Sequence, residues 1–163
     1  MTATATRTAA IEQYCTFWVA GLYFGVPVEE VQEVLRTQPM TPVPRAGEAV
    51  RGLINLRGQI VTAIDLRVRL GLPPREDGEL PMNVIVRNRG EVVSLLVDDI
   101  GDVIDTAGVE AEPAPSNMPT GVRDVVQGVR PLPETILLLL DADRAVDVTA
   151  APMSTTTPGG TRD

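Results

Sequence analysis

The chain has 163 residues, 44% hydrophobic but only 3% aromatic, with a formal net charge of −8 and an isoelectric point near 4.6. That acidity argues against nucleic acid, whose phosphates would be repelled, and against an anionic membrane surface. With no histidine there is no Ser-His or Cys-His nucleophile, no histidine base, no histidine-ligated metal and no phosphohistidine acceptor; a single cysteine, Cys15, leaves no intrachain disulfide.

The length suits one ordinary domain or two small, intimate subdomains. With so few aromatics the core has to be Val, Leu and Ile, and abundant Val favours strands over helices. No secretory apolar segment opens the chain and no apolar run approaches ~18 residues, so a soluble cytoplasmic protein without a membrane span is expected.

Residues 1–13 are mostly Thr and Ala and are expected to be a disordered tail. Tyr14 to Ala20 reads as a strand, Ala20-Gly21 as a turn, and Leu22 to Val26 as the hairpin partner. Tyr14, Phe17, Trp18, Tyr23 and Phe24 lie here, and core burial is preferred to a stacking platform. Cys15, inside an apolar strand, reads as an inert buried thiol. Pro27 can open a helix, and Val28, Val31, Val34 and Leu35 recur at helical spacing. Glu29, Glu30 and Glu33 would complement its dipole, so this stretch reads as an amphipathic helix or a half-exposed strand end. Pro39, Pro42 and Pro44 make 36–48 a loop or irregular edge.

Residues 50–70, VRGLINLRGQIVTAIDLRVRL, organise the rest. Gly52 opens a short strand, Leu53 to Leu56. Arg57-Gly58 turns the chain, because glycine tolerates positive φ. Ile60 to Ile64 returns, with Ile60, Ile64 and Leu66 on one face at period two. Asp65 has N-cap chemistry for a short helix that Gly71 ends. The pattern recurs 76 residues later in 126–146, VQGVRPLPETILLLLDADRAV, where Gly128, Leu132, Ile136, Leu140 and Asp141 take the places of Gly52, Leu56, Ile60, Ile64 and Asp65. A second match pairs 28–35, VEEVQEVL, with 97–104, VDDIGDVI. Two related halves in tandem follow from this self-similarity.

Residues 71–81 read as a polar linker between the halves. Met82 to Arg87, the turn Asn88-Arg89-Gly90 and Val92 to Val97 form a hairpin. Asp98, Asp99, Asp102 and Asp105 follow at a spacing unlike an EF-hand and read as a solvated strand edge rather than a metal site. Residues 111–123 read as a loop and 149–163 as a disordered tail. No phosphate loop or cofactor fingerprint occurs. Acid–base work by Glu29, Glu30, Asp98 and Asp99 would need them held close in a cleft. The residues alone therefore support an all-β, internally duplicated, non-catalytic interaction module without cofactor or metal.

The run Gly52-Leu-Ile-Asn-Leu-Arg-Gly58-Gln-Ile-Val-Thr-Ala-Ile-Asp-Leu-Arg67 resembles the signature of CheW, the bacterial chemotaxis coupling protein family. The pattern Gly21-Leu-Tyr-Phe-Gly-Val-Pro-Val-Glu-Glu-Val31-Gln-Glu-Val also resembles it, as do Leu96-Val-Asp-Asp-Ile-Gly-Asp-Val103 and Ile136 to Asp141. The likeness spans about residues 14–147. Thr62 stands where the family often carries Pro, and in a strand it only restores a ladder donor. The resemblance implies one domain over 14–148, built of two interleaved five-stranded SH3-like β-barrels. It implies an adaptor bridging chemoreceptor cytoplasmic tips to the regulatory domain of the histidine kinase CheA, cytoplasmic and recruited to the inner membrane face through receptor arrays. Positions matching Val31, Glu33, Gly52, Arg57, Ile100 and Val103 are tied to receptor coupling in similar proteins, and Val34 corresponds to Val103 in the repeat. These are expected to line one groove. Arg57 could hold a partner's carboxylate or brace its turn on backbone carbonyls. The kinase is expected at a barrel end. Self-assembly in arrays, service in another pathway such as type IV pilus motility, and a detached CheA regulatory domain stay open.

Overall fold

The computed structural model describes residues 13–44, 46–76 and 78–147. Both expected tails lie outside them, apart from Gln13, which already belongs to the first strand. The elements run β1 (Gln13–Val19), β2 (Leu22–Pro27), a 3-10 turn (Val28–Glu30), β3 (Val31–Leu35), β4 (Val50–Leu56), β5 (Gln59–Asp65), α1 (Leu66–Arg69), β6 (Met82–Asn88), β7 (Glu91–Val97), β8 (Asp99–Asp105), α2 (Thr120–Arg123), β9 (Val126–Pro131), β10 (Ile136–Leu140) and α3 (Ala142–Val146). Three hairpins turn on two residues that both carry positive φ, namely Ala20-Gly21, Arg57-Gly58 and Arg89-Gly90. Such turns match the right-handed twist of the strands they join.

The strands form two five-stranded sheets, ordered β8-β1-β2-β10-β9 and β3-β6-β7-β5-β4. The first is built from the ends of the chain and the second from its middle. Each half thus keeps one hairpin at home and lends three strands to the other sheet. The register repeats across the halves. Leu35 opposite Asn83 corresponds to Ile104 opposite Tyr14, an offset of 69. The parallel pair Thr62–Val93 corresponds to Leu138–Phe24. Even the bulges match, between Val31 and Glu33 in β3 and between Ile100 and Val103 in β8, opposite Cys15 and Phe17. Neither ladder closes into a full barrel, since β8 and β9, and β3 and β4, remain sheet edges.

One core serves both sheets. Phe17, Val19, Phe24 and Val26 of the first pack with Ile64, Val84, Val86, Leu95 and Val97 of the second, and with Leu66, Leu70, Val122 and Ala145 of the short helices. Burying side chains of this size contributes roughly 1.5–3 kcal/mol each, which makes the sheets one folding unit. Phe17, Phe24 and Tyr14 are buried as expected, but Trp18 is exposed and packs at a tilt on Tyr23, with centroids 4.4 Å apart, while Tyr23 is only partly buried against Tyr14, Leu137 and Leu139.

One local expectation is decided and two change. Of the two readings of 28–35 the half-exposed strand holds: the stretch yields only one 3-10 turn, and Val31 onward pairs with β6. Strand pairing gives β3 ladder partners from Val31 to Leu35 on either side of the bulge, whereas a helix would leave the edge of β6 unpaired. Ile60 shares the parity of Ile64 but lies beyond the core at the hairpin tip, 60% exposed. The loop 111–123 contains α2, whose Gly121 packs on the Leu70 carbonyl so closely that a Cβ would lie 2.1 Å from its oxygen.

Candidate binding surface and the seam behind it

The two repeat-equivalent edge strands β3 and β8 carry five of the seven residues singled out for partner binding. Their side chains split between two faces. Val31 and Ile100 are half-buried and pack on the shared core. Val34 and Val103 point outward, 39% and 57% exposed. The bulge before Glu33 in β3, and its mate between Ile100 and Val103 in β8, sets this parity. No ladder joins β3 to β8, which belong to different sheets. An exposed valine on an unpaired strand edge is a ready contact for another chain.

Glu33 and Arg57 are brought together. The guanidinium of Arg57 donates from both terminal nitrogens to the two Glu33 oxygens, at 2.6 and 2.7 Å. Hydrogen bonding from Arg57 holds the Glu33 carboxyl below its ordinary pKa, and Glu33 in turn raises that of Arg57. The turn itself is braced by Asn55, whose side-chain oxygen accepts from the Gly58 N–H at 2.9 Å. So the Arg57 fork grips neither its own turn's carbonyls nor empty solvent. It ties the β4–β5 turn to β3, across the two open edges of the second sheet.

Gly52 is buried and makes a different contribution. The segment after β3 crosses β4 and bonds it reciprocally, Thr41 N–H to Leu53 O at 2.9 Å and Leu53 N–H to Thr41 O at 2.8 Å. A Cβ on Gly52 would lie 2.7 Å from the Thr41 oxygen. The same crossing recurs at Gly128, where a Cβ would lie 2.8 Å from the Glu112 oxygen and Glu112 bonds Val129 reciprocally at 2.7 Å. The glycine that opens each repeat is therefore a clearance for a crossing backbone.

Asp98 is the residue whose importance sequence reasoning missed. It is the single residue between β7 and β8, where the chain crosses from the second sheet to the first. Its carboxylate accepts the Ala20 N–H at 2.7 Å, Arg67 Nε at 3.0 Å and an Arg67 terminal nitrogen at 2.6 Å. Arg75 Nε lies 3.1 Å away. Burial pushes the Asp98 carboxyl up, but the bonds from Arg67 and Ala20, with the charges of Arg67 and Arg75, outweigh it and leave the pKa below its usual value. Arg75, from the expected polar linker, is only 5% exposed at its side chain. It also pairs with Asp65 at 3.0 Å and donates to Leu96 O. Arg67 holds the linker down through the carbonyls of Pro73 and Pro74. The expected solvated Asp edge is thus half right: Asp99, Asp102 and Asp105 are exposed, while Asp98 is the hub of an ion network. A buried arginine in a Pro- and Gly-rich linker leaves no local signal in the sequence.

The four acids weighed for acid–base work do not form a catalytic pair, since Asp98 is bound by two arginines. Glu30 is raised by burial and by the charges of Asp143, Glu29 and Asp141. It lines a cleft whose other acids, Asp141 and Asp143, are paired to Arg144 and Arg89. Among the described residues no group of His, Cys, Asp or Glu could hold a metal. Burial raises the Cys15 thiol, which suits an inert role.

Comparison with known proteins agrees with this architecture. A family model described as CheW-like domain matches residues 13–150. The chain is 30% identical over 136 residues to the chemotaxis protein CheW of Bacillus subtilis, covering 83% of this chain and 87% of that one. It is 29% identical over 127 residues to CheW of Rhizobium meliloti, covering 78% and 82%. Among solved structures, the scaffolding protein TtCheW of Thermoanaerobacter tengcongensis superposes with a TM-score of 0.70 at 26% identity, covering 80% of this chain and 88% of that one.

Proposed function

The chain belongs to the CheW-like domain family, and on that premise we propose that it is a non-catalytic chemotaxis adaptor, coupling chemoreceptor tips to the regulatory domain of the kinase CheA. Its partners are those of a chemosensory array. The observation that carries the receptor side is the pair Val34 and Val103. They are exposed, occupy equivalent positions in the two halves, and sit on strand edges that no other strand covers. A receptor helix would lay an apolar stripe against them, with Ile100 and Val31 behind as a firm backing. Burying what remains exposed of each valine contributes about 1 kcal/mol. Two such anchors give a weak contact, which suits reversible coupling strengthened by repetition in an array. Glu33 and Arg57 would form its polar rim.

No helix of the described residues is long and apolar enough to cross a membrane, so a place at the inner membrane face would follow from receptor binding. The test is a titration of the full chain with a receptor-tip helical fragment and, separately, with a CheA regulatory domain. Val34→Asp and Val103→Asp are the informative variants, because Val31→Asp would put a charge against the core. Each variant is expected to weaken the receptor arm about ten-fold, a loss of about 1.4 kcal/mol, and to leave the kinase arm unchanged. Binding of a well-folded wild type to neither partner would sink the reading.

A further inference from the structure

We propose that Asp98 is a positioning residue for partner binding: it locks the start of β8, and hence Val103 and Ile100, to the opposite sheet. The inference rests on the receptor reading above and concerns what holds that surface in place.

The chain crosses between the sheets twice within the halves, at the 3-10 turn Val28–Glu30 and at Asp98. The repeat makes Glu29 the equivalent of Asp98 and Asp143 the equivalent of Arg67. At the Asp98 crossing an acid meets an arginine, and the linker adds a second, almost buried arginine. At the other crossing the equivalent positions are both acids. There, Asp143 pairs instead with Arg89, at 3.2 Å, and both side chains are substantially exposed. The clefts differ accordingly. The one lined by Arg67, Arg75 and Asp98 is about 240 Å3, and the one where Glu30, Asp141 and Asp143 face Arg87, Arg89 and Arg144 is about 580 Å3.

The two receptor-facing strands are therefore anchored unequally. Asp98 precedes β8 directly and holds three elements at once: the β1–β2 turn through Ala20, α1 through Arg67, and the linker through Arg75. A charged acceptor with several charge-assisted donors in a partly desolvated site resists displacement far better than an exposed pair. The crossing before β3 is held instead through a neutral acceptor, an Arg87 terminal nitrogen donating to the Glu29 carbonyl at 3.2 Å, and the Glu33–Arg57 pair ties β3 only at the rim. β8 is the fixed lip of the surface and β3 the yielding one.

Asp98→Asn keeps the shape and an acceptor for the Ala20 N–H but removes the charge. In the full chain, amide hydrogen exchange of residues 99–105 is expected to quicken by about ten-fold or more, with β4 and β5 unaltered, and affinity for the receptor-tip fragment to fall about ten-fold with kinase-domain affinity within about two-fold. In the wild type, β8 should exchange more slowly than β3. Uniform acceleration over the whole chain would mean Asp98 is merely structural and would overturn the proposal, as would a folded variant with wild-type receptor affinity. Should Asp98→Asn not fold, Arg75→Gln carries the test. It leaves the Arg67 and Ala20 bonds intact and should weaken receptor binding about three-fold with faster exchange confined to β8 and the linker; wild-type behaviour overturns the proposal. A wild type that binds no receptor fragment sinks the coupling reading and this inference with it, whereas normal wild-type binding with an indifferent Asp98→Asn sinks the inference alone.

Discussion

Replacing Gly52 by Ala separates the two ways this residue could matter. Its backbone does not lie in the left-handed region, so alanine meets no conformational objection. The objection is steric. The new Cβ would stand 2.7 Å from the Thr41 oxygen, 3.1 Å from its carbonyl carbon and 3.2 Å from Met40 Cβ. Two of these three neighbours are backbone and cannot rotate away. Relief requires the 40–41 segment to lift, which stretches both hydrogen bonds between Thr41 and Leu53. Overpacking of this kind, with part of two net hydrogen bonds lost, amounts to about 2–3 kcal/mol. For a domain of this size that lowers Tm by about 6–12 °C. Calorimetry or thermal circular dichroism measures it directly. Gly128→Ala should cost as much, because the Glu112 oxygen stands at 2.8 Å in the equivalent crossing. Both variants should weaken partner binding only as far as the fold loosens. A Gly52→Ala protein with unaltered Tm that fails to bind the receptor fragment would refute the clearance argument and make Gly52 a direct contact.

Asp65→Ala removes the N-cap of α1 and one of the carboxylates facing the nearly buried Arg75; a loss of about 3–5 kcal/mol is expected in a denaturant titration. Acid should unfold the protein partly through Asp98. Its folded pKa is depressed, so its contribution is present above the unfolded value and is lost as pH falls below about 4 toward the folded value. Asp98→Asn should flatten that part of the stability–pH curve, and an unchanged curve would remove Asp98 from the acid response. Arg57→Ala should return the Glu33 carboxyl to its ordinary titration range, read by NMR of the side-chain carboxyl, with little change in Tm because the pair is exposed. Trp18, the sole tryptophan, pairs with Asp99 at the start of β8 and stacks on Tyr23. Its emission should shift when a partner covers β8, and Val103→Asp should abolish the shift.

What could be read in the sequence was local or periodic. Two-residue turns with a glycine second, strand alternation and an Asp before a short apolar helix are decided within a few residues, because φ preference, pleat and capping are local physics. Gly71 ends α1 as its position suggests, with the Leu72 N–H bonding back to Arg67 O and the Gly71 N–H to Val68 O. The duplication was equally legible, and it predicts the matching registers of the two sheets. The spacing of 28–35 left helix and strand end open because its apolar residues satisfy both, and only an unpaired edge at β6 decides between them.

The tertiary structure alone decided the rest, and the reason is distance along the chain. Which strand lies beside which is settled by closing one core over both halves, so three strands of each half cross to the other sheet. Glu33 meets Arg57 across 24 residues and Arg67 meets Asp98 across 31. Arg75 looks like a solvated linker residue until Asp65 and Asp98 are brought to it. Ion pairs and backbone clearances depend on where a distant segment arrives, and no periodicity records that. The sequence by itself determined the repeating unit and its turns; folding decided that an acid, two arginines and a turn N–H would converge at Asp98, because groups this far apart along the chain meet only when the shared core closes.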